Sequence, residues 1–146
     1  MKALRSCPLF AGMSEIEIDL TLGNISYQLV SLPSHEVYAL AGMPCKYVDI
    51  VVSGKLICRM AALSGKQVEV SRLHSGNMVA PAFIFSKDRS LPVSVETDGK
   101  VQLFRMRPEE LKRLIDLDET LRMNYIRILS NIDVFLTQKM KVLSLF

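Results

Sequence analysis

Tryptophan is absent from this sequence of 146 residues, aromatic residues make up only 7% of it, and histidine occurs twice. No run approaches the roughly 18 consecutive apolar residues that span a bilayer, so no membrane contact is expected. The opening Met1-Lys2-Ala3-Leu4-Arg5-Ser6-Cys7 meets charge too early for a secretory leader. Cysteine is scarce and odd in number, at positions 7, 45 and 58. That wide spacing argues for reduced thiols in a cytoplasmic protein rather than a disulfide framework. It also lacks the close pairs that hold zinc or iron–sulfur clusters. His35 and His74 form no HxH or HExxH pair, and neither a G-x-S-x-G nor a phosphate-binding G-x-x-x-x-G-K-[ST] occurs. With no catalytic set, an enzyme is not expected.

Charge of one sign is also in short supply. Eighteen basic residues face fifteen acidic ones, for a net +3. Residues 1–99 balance at nine against nine, and the excess falls in residues 100–146, nine against six. A nucleic-acid reader usually carries a denser basic stripe, so the scattered charges read as a solvated surface.

What is present points to a packed core. Hydrophobic residues make up 49% and charged ones 23%, and a chain near this length buries roughly 70% of its unfolded surface as one unit. Ser14-Glu15-Ile16-Glu17 is a capping-box pattern, and the apolar Ile16, Ile18, Leu20 and Leu22 predict a helix that ends at Gly23-Asn24. Short strands are predicted at Tyr27–Leu32, Glu36–Leu40, Val48–Val52, Lys55–Ala61, Gln67–Leu73, Val93–Glu96 and Val101–Met106. Turn signals separate them, including Pro33-Ser34, Ser53-Gly54, Ser64-Gly65 and Asp98-Gly99. Such spacing suggests a sandwich or barrel, closed as a jelly roll.

From Arg107-Pro108-Glu109-Glu110 onward the pattern is helical, with proline and acids where a helix start favours them. The expected organisation is a helix and β-roll over residues 1–107, then a helical segment over 108–146. Tyr125, Ile128, Leu129, Ile132, Phe135, Leu136, Met140 and Leu143 form a long apolar stripe at spacings near three and four. A stripe of that length suggests a homodimer through paired helices. The alternative is that it packs on the β-roll.

Residues 76–92 are a long connection with an apolar start. Long loops on a rigid scaffold are often functional. Phe83, Ile84 and Phe85 are expected to turn inward as one wall of a mostly apolar pocket; a simple plug for the barrel is the alternative.

The order helix, β-roll, loop and long terminal helix resembles the sensor half of the Crp/Fnr family of bacterial transcription regulators. The likeness rests on Cys7-Pro8-Leu9-Phe10 with Gly12-Met13-Ser14, on Ala41-Gly42-Met43-Pro44, and on Val48-Asp49-Ile50-Val51-Val52-Ser53-Gly54. Gly65-Lys66 and Leu73-His74-Ser75-Gly76-Asn77 extend it, so that it covers essentially the whole chain. It implies a mainly β double-stranded β-helix with flanking helices and a long C-terminal dimerisation helix. It also implies an effector pocket formed by Met78, Val79, Ala80, Pro81, Phe83, Phe85, Arg89 and Ser90 on the loop, and by Asn124, Tyr125 and Ile128 on the helix.

Departures from the family pattern bear on the effector. Cyclic-nucleotide-binding members open this loop with Gly-Glu, where the present chain has Ala80-Pro81. They close it with Arg-Ser/Thr-Ala; counting back from the next strand puts Leu91 rather than Arg89 at the phosphate position. Cyclic AMP is therefore an unexpected ligand. An iron–sulfur role is excluded, because Cys7 stands alone where that branch has a cluster. Some relatives bind haem, and His74, Met78, Met123 and Met140 are the candidate axial ligands. Haem would imply sensing of NO or another diatomic gas; the remaining options are an unidentified small effector, a ligand-free structural dimerisation domain, or a cyclic-nucleotide-binding module with a non-standard pocket. DNA binding would need a helix-turn-helix domain, which has no counterpart here, so the chain reads as a truncated regulator.

Overall fold

The computed structural model describes the backbone of residues 2–144 and the side chains of residues 2–132. Two short helices, α1 (Lys2–Arg5) and α2 (Glu15–Leu22), flank a tight 3-10 turn at Pro8–Phe10. The capping box forms as expected: the Glu17 amide donates to Ser14 Oγ and the Ser14 amide to Glu17 Oε1, both at 3.2 Å. Only Ile18 and Leu22 of α2 are buried, however, and Ile16 is 73% exposed. Residues four apart share a helix face while those two apart do not, so the even-numbered run divides between core and solvent.

Five strands follow: β1 (Tyr27–Leu32), β2 (Val37–Ala39), β3 (Val48–Ala61), β4 (Gln67–Leu73) and β5 (Ser94–Met106). They pair antiparallel in the order β1-β5-β3-β4, with β2 also on β5. Two pairs of expected strands are each one long strand. Ser53-Gly54 and Asp98-Gly99 do not end strands; they lie within β3 and β5, where the register shifts between Val51 and Lys55. Gly54 has φ +87°, and a Cβ there would run into the Lys100 carbonyl and Val101. Glycine is thus required by both the backbone twist and the close approach. These irregularities bend β3 and β5, and the bend lets one hydrogen-bonded network wrap into an antiparallel jelly roll with flanking helices.

The core has two parts. One is inside the roll and includes Val51, Leu56, Cys58, Val95, Val101 and Leu103. The other joins the roll to helices from both ends of the chain, through Leu4, Phe10, Ile18, Ile50, Phe104, Leu111 and Leu121. Tyr27 closes its edge by stacking on Phe104, with ring centroids 4.7 Å apart. Burial pushes the Cys7 thiol in this core up to about 11, so it is a packing group and a poor nucleophile.

Helix α3 (Pro108–Leu117) begins with proline at its first turn, and α4 (Glu119–Ser144) follows after Asp118, whose carboxylate accepts the Leu121 amide at 3.1 Å. Here the expected dimer stripe needs correction. Leu121 and Tyr125 are buried in this chain's own core, and Ile128 and Leu129 pack against it. The first part of the stripe therefore packs against α3, the N-terminal turn and the loop's 3-10 turn, within the core shared with the roll. Ile132 is half-buried, and Met123 and Ile126 are exposed on α4. The side chains of Phe135, Leu136, Met140 and Leu143 lie outside the described residues.

Replacing Gly54 by Ala is expected to lower stability by more than about 1 kcal/mol, since alanine resists positive φ. Urea unfolding followed by far-ultraviolet circular dichroism would show it as a lower midpoint.

Candidate functional site

The connection between β4 and β5 is anchored at both roots. At the first, Gly76 donates to the Val51 carbonyl, Val51 to Asn77, and Val79 to Asp49, at 2.7–2.9 Å. At the second, Gly42 donates to Leu91, Leu91 to Met43, and Cys45 to Arg89, at 2.8–2.9 Å. The stretch between them is free to be shaped by what it touches. Met78 is buried in the core shared with the helices, and the adjacent Val79 in the core of the roll.

Between the roots, Ala80 adopts φ +47° and ψ +53°, a left-handed conformation that alanine disfavours, and a 3-10 turn runs from Pro81 to Phe83. The strain of such a residue is of order 1 kcal/mol and needs holding from outside. The turn is held by α4. The Tyr125 hydroxyl donates to the Pro81 carbonyl at 2.7 Å, and the Phe85 ring meets the Tyr125 ring edge-on at 5.9 Å. Burial pushes the Tyr125 phenol up to about 12, with the neighbouring Cys45 adding to the effect. Tyr125 therefore keeps the proton that it donates.

Several expected pocket residues are elsewhere. Phe85 is 43% exposed rather than turned inward, because its ring rests on the outward side of Tyr125. Arg89 and Ser90 are exposed at the second root, where pairing with Pro44 and Cys45 uses their backbone. Asn124 is buried but faces away from the loop, and its Nδ2 donates to the Leu9 and Ala11 carbonyls, both at 2.9 Å. It clamps α4 to the N-terminal turn. Ile128 packs against the core. Pro81 and Phe83 are half-buried, as is Ala80.

A buried charged cluster lies beside the first root of the loop. Asp49 is fully buried, and Arg105, its partner in the β3–β5 register, donates Nε to Oδ1 at 2.8 Å and Nη2 to Oδ2 at 3.0 Å. The Tyr38 hydroxyl donates to the same carboxylate. Burial and then the Asp49 charge raise the Tyr38 phenol, so it stays a donor. The Tyr47 ring covers the guanidinium at 4.2 Å. The signal that could have found this cluster is the lone acid inside the apolar run Val48–Val52.

A profile for the cyclic nucleotide-binding domain matches residues 29–118. The chain belongs to that family. No curated protein matches it by sequence. Among solved structures, it is similar in fold to the catabolite activator protein of Thermus thermophilus, with 20% identity and TM-score 0.81 over 94% of this chain and 63% of that one. It thus spans just under two thirds of the Thermus protein. A transcriptional regulator from Thermotoga maritima matches with 19% identity and TM-score 0.79 over 88% of this chain and 98% of that one. The sensor domain of the transcriptional regulator DNR from Pseudomonas aeruginosa matches with 20% identity and TM-score 0.73 over 96% and 90%. Among the described residues no helix is long and apolar enough to cross a membrane.

Family membership raises the question of whether the residues present suit a cyclic nucleotide. They do not. Ala80-Pro81 supplies no carboxylate for a ribose and, at proline, no amide N–H. The Pro81 carbonyl is already taken by Tyr125. Leu91, at the position counted for the phosphate, is buried and apolar, while Arg89 is exposed. The interior beneath is filled by Val51, Leu56, Val79, Val95 and Leu103, which offer a phosphate no charge-assisted bond. The haem candidates differ as sharply: His74 is exposed and Met123 is 39% exposed on α4, whereas Met78 is buried. Met140 lies outside the described side chains.

Asp49→Asn is expected to destabilise the fold by about 3–5 kcal/mol, the range for breaking one side of a buried charge pair. Chemical unfolding of the variant beside Arg105→Ala and the double variant would show strong coupling; additive losses would contradict the pairing.

Proposed function

We propose that this chain is the effector-sensing and dimerisation module of a bacterial Crp/Fnr-type transcription regulator, acting in the cytoplasm by binding rather than catalysis. Membership in the cyclic nucleotide-binding domain family and a fold similar to transcriptional regulators support this reading. The single observation that carries it is the hydrogen bond from Tyr125 to Pro81. It joins a strained loop to α4, a helix of 26 residues. An effector that shifted the loop would alter this bond and the Phe85–Tyr125 contact. It would thereby bias how two α4 helices pair through Ile132 and the residues beyond it. DNA would be bound by a further domain of the parent protein, whose spacing follows the helix pair. Such a switch is a population shift, driven by differential affinity of the effector for two arrangements.

Cyclic AMP is not the effector in this reading, for lack of the ribose and phosphate contacts. The loop suits an apolar molecule instead. Haem belongs to that class, and Met78 is the candidate ligand that supports it, being buried at the loop's root. If haem is the effector, reconstitution gives a Soret band that moves with NO and is lost in Met78→Leu. A featureless spectrum discards haem and leaves the apolar-effector reading in place.

Sedimentation tests the switch. Wild-type chain should be a dimer, and Ile132→Lys with Leu136→Lys a monomer. Tyr125→Phe removes one hydrogen bond worth about 1 kcal/mol, so the dimer constant should change about fivefold if loop and helix are coupled. A monomeric wild type would overturn the dimer. A constant untouched by Tyr125→Phe would reduce the chain to a static dimerisation domain.

A further inference from the structure

We propose that the chain has a second small-molecule site, a cavity of about 210 Å³ bounded by Tyr38, Cys45, Lys46, Tyr47, Leu91 and Arg105, which takes a small monocarboxylate with an apolar body. Neither Pro81 nor Tyr125 borders it, although Val79 and Leu91 bring it against the two roots of the loop and Cys45 neighbours Tyr125.

Charge selects the ligand. Lys46 and Arg105 are the ionised groups on the cavity wall, and Asp49 beneath neutralises one of them. Among the wall residues the balance is one positive charge, which suits a monoanion, and the nearby Arg89, whose charge reaches Cys45, adds to the attraction for an anion. A guanidinium carries five N–H donors, and Asp49 takes two of those of Arg105. The other three are outside that pair, and the guanidinium is held in plane by Asp49 on one side and the Tyr47 ring at 4.2 Å. A fixed guanidinium is a strong recognition element for a carboxylate, and the exposed Lys46 on the same wall adds a second cation.

The remaining wall is apolar. Ala39, Met43, Val79 and Leu91 contribute to it, so a hydrocarbon body has surface to bury. The volume is below the roughly 300–1,000 Å³ of sites for drug-sized ligands, which limits the occupant to a compact acid. The site is also preorganised, since Leu91 is locked to Gly42 and Met43 by two backbone hydrogen bonds. Preorganisation lowers the ordering cost of binding.

The test is titration of the chain with sodium benzoate, followed in amide NMR spectra, with benzamide as the neutral analogue of the same shape. Saturable shifts centred on Cys45, Lys46 and Leu91 are expected at concentrations of order 10 mM or below, the weak end for so small a ligand. Benzamide should bind about tenfold more weakly, and Lys46→Met should weaken benzoate about tenfold, as loss of a charge-assisted bond requires. Ala39→Leu, which fills the cavity, should abolish the shifts while leaving the rest of the spectrum in place. Diffuse or non-saturating shifts, equal binding of benzamide, or an unchanged constant in Lys46→Met would overturn the proposal. None of those outcomes bears on the dimer constant of Tyr125→Phe, which tests the sensor reading by itself.

Discussion

A carboxylate with no access to water has to find its compensation inside the protein, and Asp49 sets that requirement at the junction of β2, β3 and β5. Its two oxygens take two N–H groups of Arg105 and the hydroxyl of Tyr38, while its backbone carbonyl takes the amide of Val79 at the root of the long loop. A buried ion pair is weak evidence for net stability, because desolvation opposes the attraction. It is strong evidence for register. Asp49 and Arg105 are direct partners across β3 and β5, and a slip of one residue would send every side chain to the other face and leave the charge unpaired. The pairing of the two longest strands, the seat of β2 and the first loop root all follow from this one residue.

From that root the chain runs outward to the turn that contacts α4. Both roots of the loop are held by backbone hydrogen bonds to β3 and to residues 42–45, which leaves the turn between them without such anchors to those segments. There Ala80 carries a left-handed backbone, and the turn's hydrogen bond to the helix is the one from Tyr125. A segment that is strained, short and tied to one neighbouring helix is suited to two positions rather than to gradual deformation. Asn124, one residue away, does the opposite job by clamping α4 to the N-terminal turn. Adjacent residues on α4 thus hold two different segments, the N-terminal turn and the long loop.

Much of the fold could be read without coordinates, because the signals are local. The Ser14–Glu17 capping box and the proline at the start of α3 act within one helical turn, and both are present. The bounds of β1 and β4 coincide with their alternating, turn-flanked segments. The errors also have local causes. Ser53-Gly54 looks like a turn, yet it is a bend inside a strand, since Gly54 meets the Lys100 backbone of the strand opposite. A helical stripe shows which residues are apolar but not whether the surface that they cover belongs to the same chain. Tyr125 is buried in this chain's own core, while Ile128 and Leu129 are partly buried against it. Arg89 has the character of a pocket residue on its loop, but its backbone pairs with Cys45 and its side chain is exposed.

By itself the sequence determined the class of architecture and the loss of the nucleotide contacts. Both depend on residue type and short spacing: period, turn chemistry, and a proline where a carboxylate would be needed. Tertiary structure alone decided what the polar groups do. Asp49 finds its guanidinium 56 residues away, Tyr125 its carbonyl 44 away, and Asn124 its carbonyls more than 110 away. No periodic pattern encodes such pairs. They exist because closing the roll brings distant strands and helices together where water is excluded, and a polar group buried there must be satisfied by whatever lies within reach.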